Sequence, residues 1–275
     1  MNKPERLRAP SALSMGAPER WSTLLDLLAT QGRIVVPEAA RCLGVSPATV
    51  RRDLNQLAGE HMLRRTRGGA LAHNVAYELP LRYKNARHAT EKVRIGKLAA
   101  SLVGPGATIA LNGGTTTIEV VRALATRSDL QSSASNQALT IVTNALNIAN
   151  ELVVRPRVKL VVTGGVARPQ SYELIGPLAE PLLEGLAFDY AILGVDAVNS
   201  EEGASAHHEG EAEISRLMAR RAATVVIVAD ASKLATRAFA RVCPIDEIDV
   251  LVTDARPDSE AVTPFVDHGV RVLGA

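Results

Sequence analysis

Short polar stretches follow several apolar runs in the last two thirds of the sequence, and their residue types suit the binding of an anion. Residues 112–117 read Asn-Gly-Gly-Thr-Thr-Thr, and a second Gly-Gly pair stands at 164–165. Glycines let a ligand approach the backbone closely, and threonines offer hydroxyls and amides at a helix N-terminus, where anions bind. Such turns would hold a phosphate. The candidate residues are Asn112, Gly113, Gly114, Thr115, Thr116, Thr117, Gly164 and Gly165.

Carboxylates and one lysine follow later apolar runs and would form hydrogen bonds with the hydroxyl groups of a ligand. Asp196, Glu211 and Lys233 complete a set that predicts a pocket for a phosphorylated polyol or sugar. Each feature alone is ordinary, because Gly-Gly often makes a tight turn and an acidic residue often favours a helix N-terminus. His207 and His208 are adjacent and lack a third ligand at metal-site spacing, so no metal is expected, and His207 is kept as a ligand contact. Neither a Walker pattern nor G-x-G-x-x-G occurs, and no nucleotide cofactor is expected.

The elements that must position these residues alternate between strands and helices. Short β-branched runs are almost unbroken, which is typical of strands covered on both faces. They are "ATIALNGG", "LTIVTN", "VKLVVTGG", "FDYAILGVDA", "ATVVIVAD", "IDVLVTD" and "VRVLG". Their alternation with helical patterns predicts an α/β fold with a mainly parallel sheet. Ligands of such sheets bind beyond the carboxyl ends of the strands, which is where the polar stretches stand. Residues 127–137 interrupt the alternation and are predicted to form a flexible loop.

Charge divides the chain into two parts. Residues 1–90 contain 14 Lys and Arg against 7 Asp and Glu, whereas residues 91–275 contain 17 against 22. A basic first third predicts contact with a polyanion. Two separate cysteines and the lack of a long apolar run favour a reducing cytoplasm and no membrane. We predict a disordered tail at 1–17, a DNA-binding domain at 18–73, a linker at 74–92 and an α/β domain at 93–275.

The basic third contains three helical patterns joined by short turns. Pro18 begins a helix that Gly32 ends, and Pro37 to Gly44 repeat that arrangement. Ser46 is a suitable N-cap for a third helix over residues 47–58. This short helix after a tight turn is typical of a recognition helix that enters the major groove.

The third helix has one apolar face and one polar face. Val50, Leu54 and Leu57 lie within about 60° of one another and are predicted to be buried. Arginine on the opposite face can pair with guanine or phosphate, and asparagine with adenine. Asp53 could form an ion pair with either Arg51 or Arg52, or it could contact a neighbouring helix. The candidate DNA contacts are Ser46, Ala48, Thr49, Arg51, Arg52 and Asn55.

A basic hairpin is predicted after this helix. Met62-Leu63 and Ala70-Leu71 would form two short strands around a turn that contains Gly68 and Gly69. The resulting wing would place Arg64, Arg65 and Arg67 beside DNA phosphates.

These stretches resemble the DeoR family of bacterial transcription regulators. The resemblance rests on "GVSPATVRRDLNQL" and "MLRRTRGGAL", and then on "LNGGTTT", "VTGG", "LIGPLAE", "LGVDA", "EGEAEISRLM" and "VADASK". It implies a winged helix-turn-helix plus a sensor domain like ribose-5-phosphate isomerase and the coenzyme A transferases in fold. It also implies a homo-oligomeric repressor, a dimer or tetramer, of a carbohydrate operon that a phosphorylated sugar releases from operator DNA.

Two departures from the family pattern stand at possible contacts. Asn112 replaces an aspartate that is common there, which argues against an isomerase-type acid–base carboxylate, and its amide could donate a hydrogen bond to a hydroxyl or phosphate of the effector. Arg67 replaces a histidine of the wing. The alternatives are a sugar-phosphate isomerase with an appended DNA-binding head, using Asp196, Glu211 and Lys233, and an architectural DNA-binding protein. The expectation is that the chain is not an enzyme.

Overall fold

The structure is a computed structural model that describes residues 16–59, 62–71, 88–132 and 138–275. It contains two compact units, with the division between residues 79 and 80. Residues 1–15 of the predicted tail (1–17) and residues 74–87 of the predicted linker (74–92) lie outside the described residues. A helix begins at Ala17, the last residue of that tail, and another at Ala89, inside the predicted linker.

The N-terminal unit, called the head below, contains three helices at the predicted places. Glycines in the left-handed conformation end the first two helices, Gly32 with φ 71° and Gly44 with φ 63°. Ser46 caps the third helix, since its Oγ accepts a hydrogen bond from the Thr49 amide at 3.1 Å. The helices are α1 (Ala17–Gln31), α2 (Val36–Leu43) and α3 (Pro47–Gly59).

A three-stranded antiparallel sheet completes the head and contains the wing. Its strands are β1 (Arg33–Val35), β2 (Arg64–Thr66) and β3 (Gly69–Leu71), in the order β1-β3-β2. The predicted first strand of the hairpin was wrong, because Met62 and Leu63 precede β2. Both side chains are buried, so they do not alternate as residues of a half-exposed strand would. The sequence reasoning missed β1, which is only three residues long.

The C-terminal unit, called the sensor unit below, is built on a seven-stranded parallel sheet in the order β15-β14-β12-β9-β4-β5-β6. Successive residues of a strand pack on opposite faces: Ile109 and Leu111 lie in one core, and Ala110 in the other. Strand order reverses between β4 and β9, which makes their carboxyl ends the switch point of the sheet. The strands are β4 (Thr108–Leu111), β5 (Leu139–Thr143), β6 (Val158–Val162), β9 (Phe188–Gly194), β12 (Ala222–Val228), β14 (Val250–Thr253) and β15 (Arg271–Gly274).

Helices cover both faces of this sheet, and two small antiparallel sheets extend from it. One is the hairpin β7 (Val166–Arg168) with β8 (Glu173–Ile175), and the other is β10 (Ala197–Asn199) with β11 (Gly203–Ala206) and β13 (Ala240–Cys243). Neither was predicted. The helices are α4 (Ala89–Ser101), α5 (Thr115–Thr126), α6 (Ser128–Ser132), α7 (Leu146–Leu152), α8 (Glu180–Glu184), α9 (Glu209–Arg220) and α10 (Thr263–Asp267).

The loop predicted at 127–137 is partly helical. Helix α6 occupies Ser128–Ser132, and the Arg127 guanidinium anchors its start by bonding Asp129 at 2.6 Å and the Val103 carbonyl at 2.6 Å. Residues 133–137 lie outside the described residues.

Gly96 of α4 lies directly against the backbone of α5, and we predict that Gly96→Ala destabilises the sensor unit. A Cβ there would lie 2.6 Å from the carbonyl carbon of Glu119, so backbone must shift. Overpacking costs about 1–3 kcal/mol, which the better helix propensity of alanine, about 1 kcal/mol, offsets only in part. Urea denaturation followed by circular dichroism should show the loss. Gly104→Ala is the matched control, because its Cβ would meet no atom within 4 Å.

Candidate functional site

The polar face of α3 is exposed as predicted for a recognition helix. Ala48, Arg51, Arg52 and Asn55 are exposed and line a shallow concavity together with Gln56 and Gly59. Val50, Leu54 and Leu57 on the other face are fully buried. The helix therefore presents two guanidinium groups on its exposed face. An α-helix fits into the major groove of DNA, where such groups can reach the base edges.

Asp53 connects α3 to α1 and does not pair with the two exposed arginines. Its carboxylate accepts hydrogen bonds from Arg20 Nε at 2.8 Å, Arg20 Nη2 at 3.1 Å and Trp21 Nε1 at 2.8 Å. The bond to Asp53 also raises the pKa of the Arg20 guanidinium. This buried connection fixes the orientation of α3, and Arg51 and Arg52 remain available to another molecule.

Ser46 and Thr49 lie at the start of α3 and are hydrogen-bonded to each other. Beyond its capping bond, Ser46 Oγ lies 2.9 Å from Thr49 Oγ1. Ser46 is exposed and Thr49 half-buried, so the pair stands at the N-terminal end of the face that carries Arg51 and Arg52.

The wing is attached to the recognition helix by Arg65. Its Nε donates to Asn55 Oδ1 at 2.8 Å, and its Nη1 donates to the Gly69 carbonyl. Asn55 and Arg65 were predicted as separate DNA contacts, whereas here one positions the other. Arg64 and Arg67 are exposed on the wing, as contacts to phosphate require.

In the sensor unit, Asn112 closes the switch point of the sheet. Its Nδ2 donates to the Gly194 carbonyl at 2.8 Å and to Ser215 Oγ at 3.0 Å, and its Oδ1 accepts from the Gly194 amide at 2.8 Å. Both amide hydrogens are therefore used within the protein. The expected donation from Asn112 to an effector is not what this arrangement provides, because the side chain joins the ends of β4 and β9 to α9.

The turn after β4 has the backbone geometry expected of an anion-binding turn. Gly114 has φ 144°, which favours glycine, and precedes α5. Thr117 is buried and its Oγ1 donates to the Gly114 carbonyl at 3.2 Å, so this hydroxyl caps the turn. Thr116 is buried too, and Thr115 is half-buried at the first position of the helix.

A buried glutamate that sequence reasoning missed covers this turn. Glu173 opens β8, is 4% exposed, and accepts hydrogen bonds from the Gly113 amide and from Asn144 Nδ2, the latter at 3.1 Å. A Cβ at Gly113 would lie 2.3 Å from Glu173 Oε1, so only glycine leaves room for the carboxyl. Burial raises the pKa of Glu173 to about 8, and the charges of Glu211 and Asp196 add to the effect.

Other predicted pocket residues surround Glu173. Glu211 is buried at the start of α9, and its Oε1 accepts from Arg168 Nη1 of β7 at 2.9 Å. Gly165 has φ 141°, and a Cβ there would meet the backbone of Ile175 at 2.9 Å, while the preceding Gly164 is exposed beside Leu178. The backbone of β8 thus packs on Gly165.

Asp196, His207 and Lys233 are placed by backbone contacts. Asp196 Oδ2 accepts from the His207 amide at 3.0 Å, and the imidazole of His207 is exposed. Lys233 ends a 3-10 turn after β12, is half-buried, and its ammonium forms no hydrogen bond within the described part of the chain. Asp196 acts on Glu173 through its charge, whereas no described contact joins Lys233 to that carboxyl.

Several buried polar atoms of the sensor unit have no hydrogen-bond partner among the described residues. Asn144 Oδ1 follows β5 and Thr163 Oγ1 follows β6, and Ser171 Oγ lies in the β7–β8 hairpin. Unpaired buried polar atoms are costly, and partners from a ligand or water would remove that cost. Within the described ranges, no three His, Cys, Asp or Glu residues are grouped as metal ligands, and no helix is both long and apolar enough to cross a membrane.

The raised pKa of Glu173 predicts that the sensor unit loses stability as pH rises. Below the unfolded value of about 4.5 the carboxyl is neutral in both states; above it only the folded state keeps the proton, so stability falls until pH reaches about 8. The slope for one proton is at most about 1.4 kcal/mol per pH unit. Melting temperatures between pH 5 and 9 should fall more steeply for the wild type than for Glu173→Gln. The exposed control Glu184→Gln should behave as the wild type does, and parallel curves for all three would contradict the prediction.

A winged head with exposed arginines, joined to an α/β unit with a polar site at its switch point, defines a DNA-binding transcription regulator with a sensor domain. Residues 20–75 match the DeoR-like helix-turn-helix domain, and residues 87–255 match the DeoR C terminal sensor domain. The chain belongs to the DeoR family.

Two similar transcription regulators align with this chain along nearly their whole length, and one solved structure resembles about half of it. The glycerol-3-phosphate regulon repressor of Escherichia coli K12 is 29% identical over 92% of this chain and 97% of its own. The transcriptional repressor GlcR of Bacillus subtilis is 31% identical over 93% of this chain and 95% of its own. Ribose 5-phosphate isomerase A from Methanocaldococcus jannaschii covers 53% of this chain and 54% of its own at 20% identity, with a TM-score of 0.38.

Proposed function

We propose that this protein represses a carbohydrate operon by binding operator DNA through its head, and that a phosphorylated sugar or a related metabolite releases it. The exposed Arg51–Arg52 pair on α3 carries the proposal, because a buried bond network orients that helix and leaves both guanidinium groups outward. The repressor names of the relatives support it, and one of them is named for the regulon of a phosphorylated polyol.

The site that would bind the effector is the polar cluster at the switch point. It joins the turn after β4, the β7–β8 hairpin and the start of α9 through Glu173 and the Arg168–Glu211 pair. A ligand that bridges these three elements would couple their positions, and it can shift DNA binding only if it prefers one arrangement of the protein. We further propose a homo-oligomer, which would read repeated half-sites, and a location in the cytoplasm where both DNA and sugar phosphates are found.

Catalysis is not part of the proposed function. The relatives are transcription regulators, and the Asn112 side chain, where an isomerase-type carboxylate was considered, is occupied by Gly194 and Ser215. Incubation with pentose and hexose phosphates, followed by product analysis, should show no turnover above the rate without protein.

Operator affinity in the presence of metabolites tests the proposal. A DNA site is first selected from random duplexes with the full-length protein, and its dissociation constant is then measured by fluorescence anisotropy with and without a panel of sugar phosphates. Allosteric coupling should weaken DNA binding by about 5–150-fold for the effector, and DNA should weaken effector binding by the same factor. If every compound leaves the affinity unchanged, the sensor role is wrong.

A further inference from the structure

The Glu173 carboxyl occupies the place at the turn after β4 where an anion would be expected to bind. The Gly113 amide, which a phosphate oxygen would require, already donates to Glu173. The contact is close enough that even a methyl group on Gly113 would overlap Glu173 Oε1. A second anion at this amide would therefore have to displace the carboxyl or lie against it.

The surroundings of Glu173 are rich in hydrogen-bond acceptors. The carboxylates of Glu211 and Asp196 act on it, and the Arg168 guanidinium is already bonded to Glu211 at 2.9 Å. Asn144 directs Nδ2 to Glu173, while its buried Oδ1 accepts no hydrogen bond within the described residues. These acceptors would be satisfied by a ligand group that donates hydrogen bonds. A positively charged donor would also offset the negative charge of the neighbouring carboxylates.

We infer that Glu173 is a specificity-determining residue, which makes this end of the effector site accept an amino or hydroxyl group of the ligand and reject a second anionic group. The inference rests on the proposed function for its sugar ligand, but the occupied Gly113 turn can be tested without any sugar. The phosphate of the effector then lies away from the Gly113 amide. A ligand ammonium at Glu173 would bind more tightly than a hydroxyl, because its positive charge favours the ionised form of this otherwise protonated carboxyl, and a carboxylate would bind least.

Inorganic phosphate tests the turn itself. Thermal shifts are measured against phosphate, with potassium chloride matching the ionic strength, for the wild type, Glu173→Gly and Glu173→Ser. Removing the carboxyl frees the Gly113 amide, so both variants should be stabilised at phosphate concentrations that leave the wild type unchanged. A second variant guards against failure of one to fold, which circular dichroism detects. Equal shifts for the wild type and the variants, or no shift for either variant, would overturn the inference.

A matched set of sugar phosphates tests the specificity. Glucosamine 6-phosphate and glucose 6-phosphate differ only in an ammonium or a hydroxyl at C2, and 6-phosphogluconate carries a carboxylate at C1 of an open chain. Isothermal titration should give at least tenfold weaker binding for 6-phosphogluconate than for glucosamine 6-phosphate with the wild type, and Glu173→Gln should reduce that ratio to about threefold or less. An equal ratio in the two proteins would overturn the role of Glu173. Failure of all three sugars to bind any form would count against the proposed effector class, and the phosphate experiment would still decide the role of Glu173.

Discussion

Replacing both Arg51 and Arg52 by methionine should weaken binding to the selected operator by about a thousandfold. Each arginine bonded to a guanine or a phosphate contributes about 1–3 kcal/mol, and a loss of about 4 kcal/mol from the pair corresponds to that factor. Both side chains are exposed, so methionine should fit without strain and the head should remain folded. Fluorescence anisotropy with the selected duplex measures the loss, and circular dichroism verifies the fold.

The two single variants separate base contacts from phosphate contacts. An arginine that reads a guanine should, when replaced, relax the selected sequence at one position, whereas an arginine on phosphate should weaken binding to all duplexes and lower the salt dependence. Arg155→Met, an equal loss of charge on an exposed site of the sensor unit, is the matched control. If the control weakens binding as much as either single variant, net charge and not the α3 surface governs DNA binding.

Local pattern was sufficient to predict most elements that carry the candidate site. The apolar stripe of Val50, Leu54 and Leu57 predicted which face of α3 is buried, and glycines marked the ends of α1 and α2 correctly. The β-branched runs predicted all seven strands of the large sheet, because residues covered on both faces leave a continuous apolar signal. The roles proposed for the exposed arginines and for the pocket residues remain predictions.

Contacts between residues distant in sequence explain what the pattern did not predict. Glu173 meets the Gly113 amide across 60 positions of chain, and it stands in a three-residue strand whose alternation is too short to detect. Asn112 was predicted to donate to a ligand because its partner Ser215, 103 residues later, gives no sign of the contact in the sequence. The Arg65–Asn55 bond likewise depends on how the wing folds back on α3.

The second large effect concerns the buried network that orients the recognition helix: Asp53→Ala should destabilise the head by about 3 kcal/mol. Asp53 and Arg20 have side chains that are 5% and 15% exposed, and removing the carboxylate removes the two hydrogen bonds that Arg20 donates to it and the one that Trp21 donates. Urea denaturation followed by tryptophan fluorescence reports on the head specifically, because Trp21 is the only tryptophan of the chain. Operator affinity should fall with the folded fraction of the head.

A double variant distinguishes the loss of the Arg20–Asp53 ion pair from a general loss of packing around Asp53. Arg20→Met combined with Asp53→Leu removes both partners and fills the space with apolar atoms, so it should recover at least half of the stability that Asp53→Ala loses. Glu38→Gln, which alters an exposed carboxylate on α2, should change stability by less than about 0.5 kcal/mol. A double variant no more stable than Asp53→Ala would mean that the loss of packing, and not the loss of the ion pair, determines the destabilisation. In that case the packing around Asp53, and not the charge of its partner, would determine how firmly α3 is held against α1.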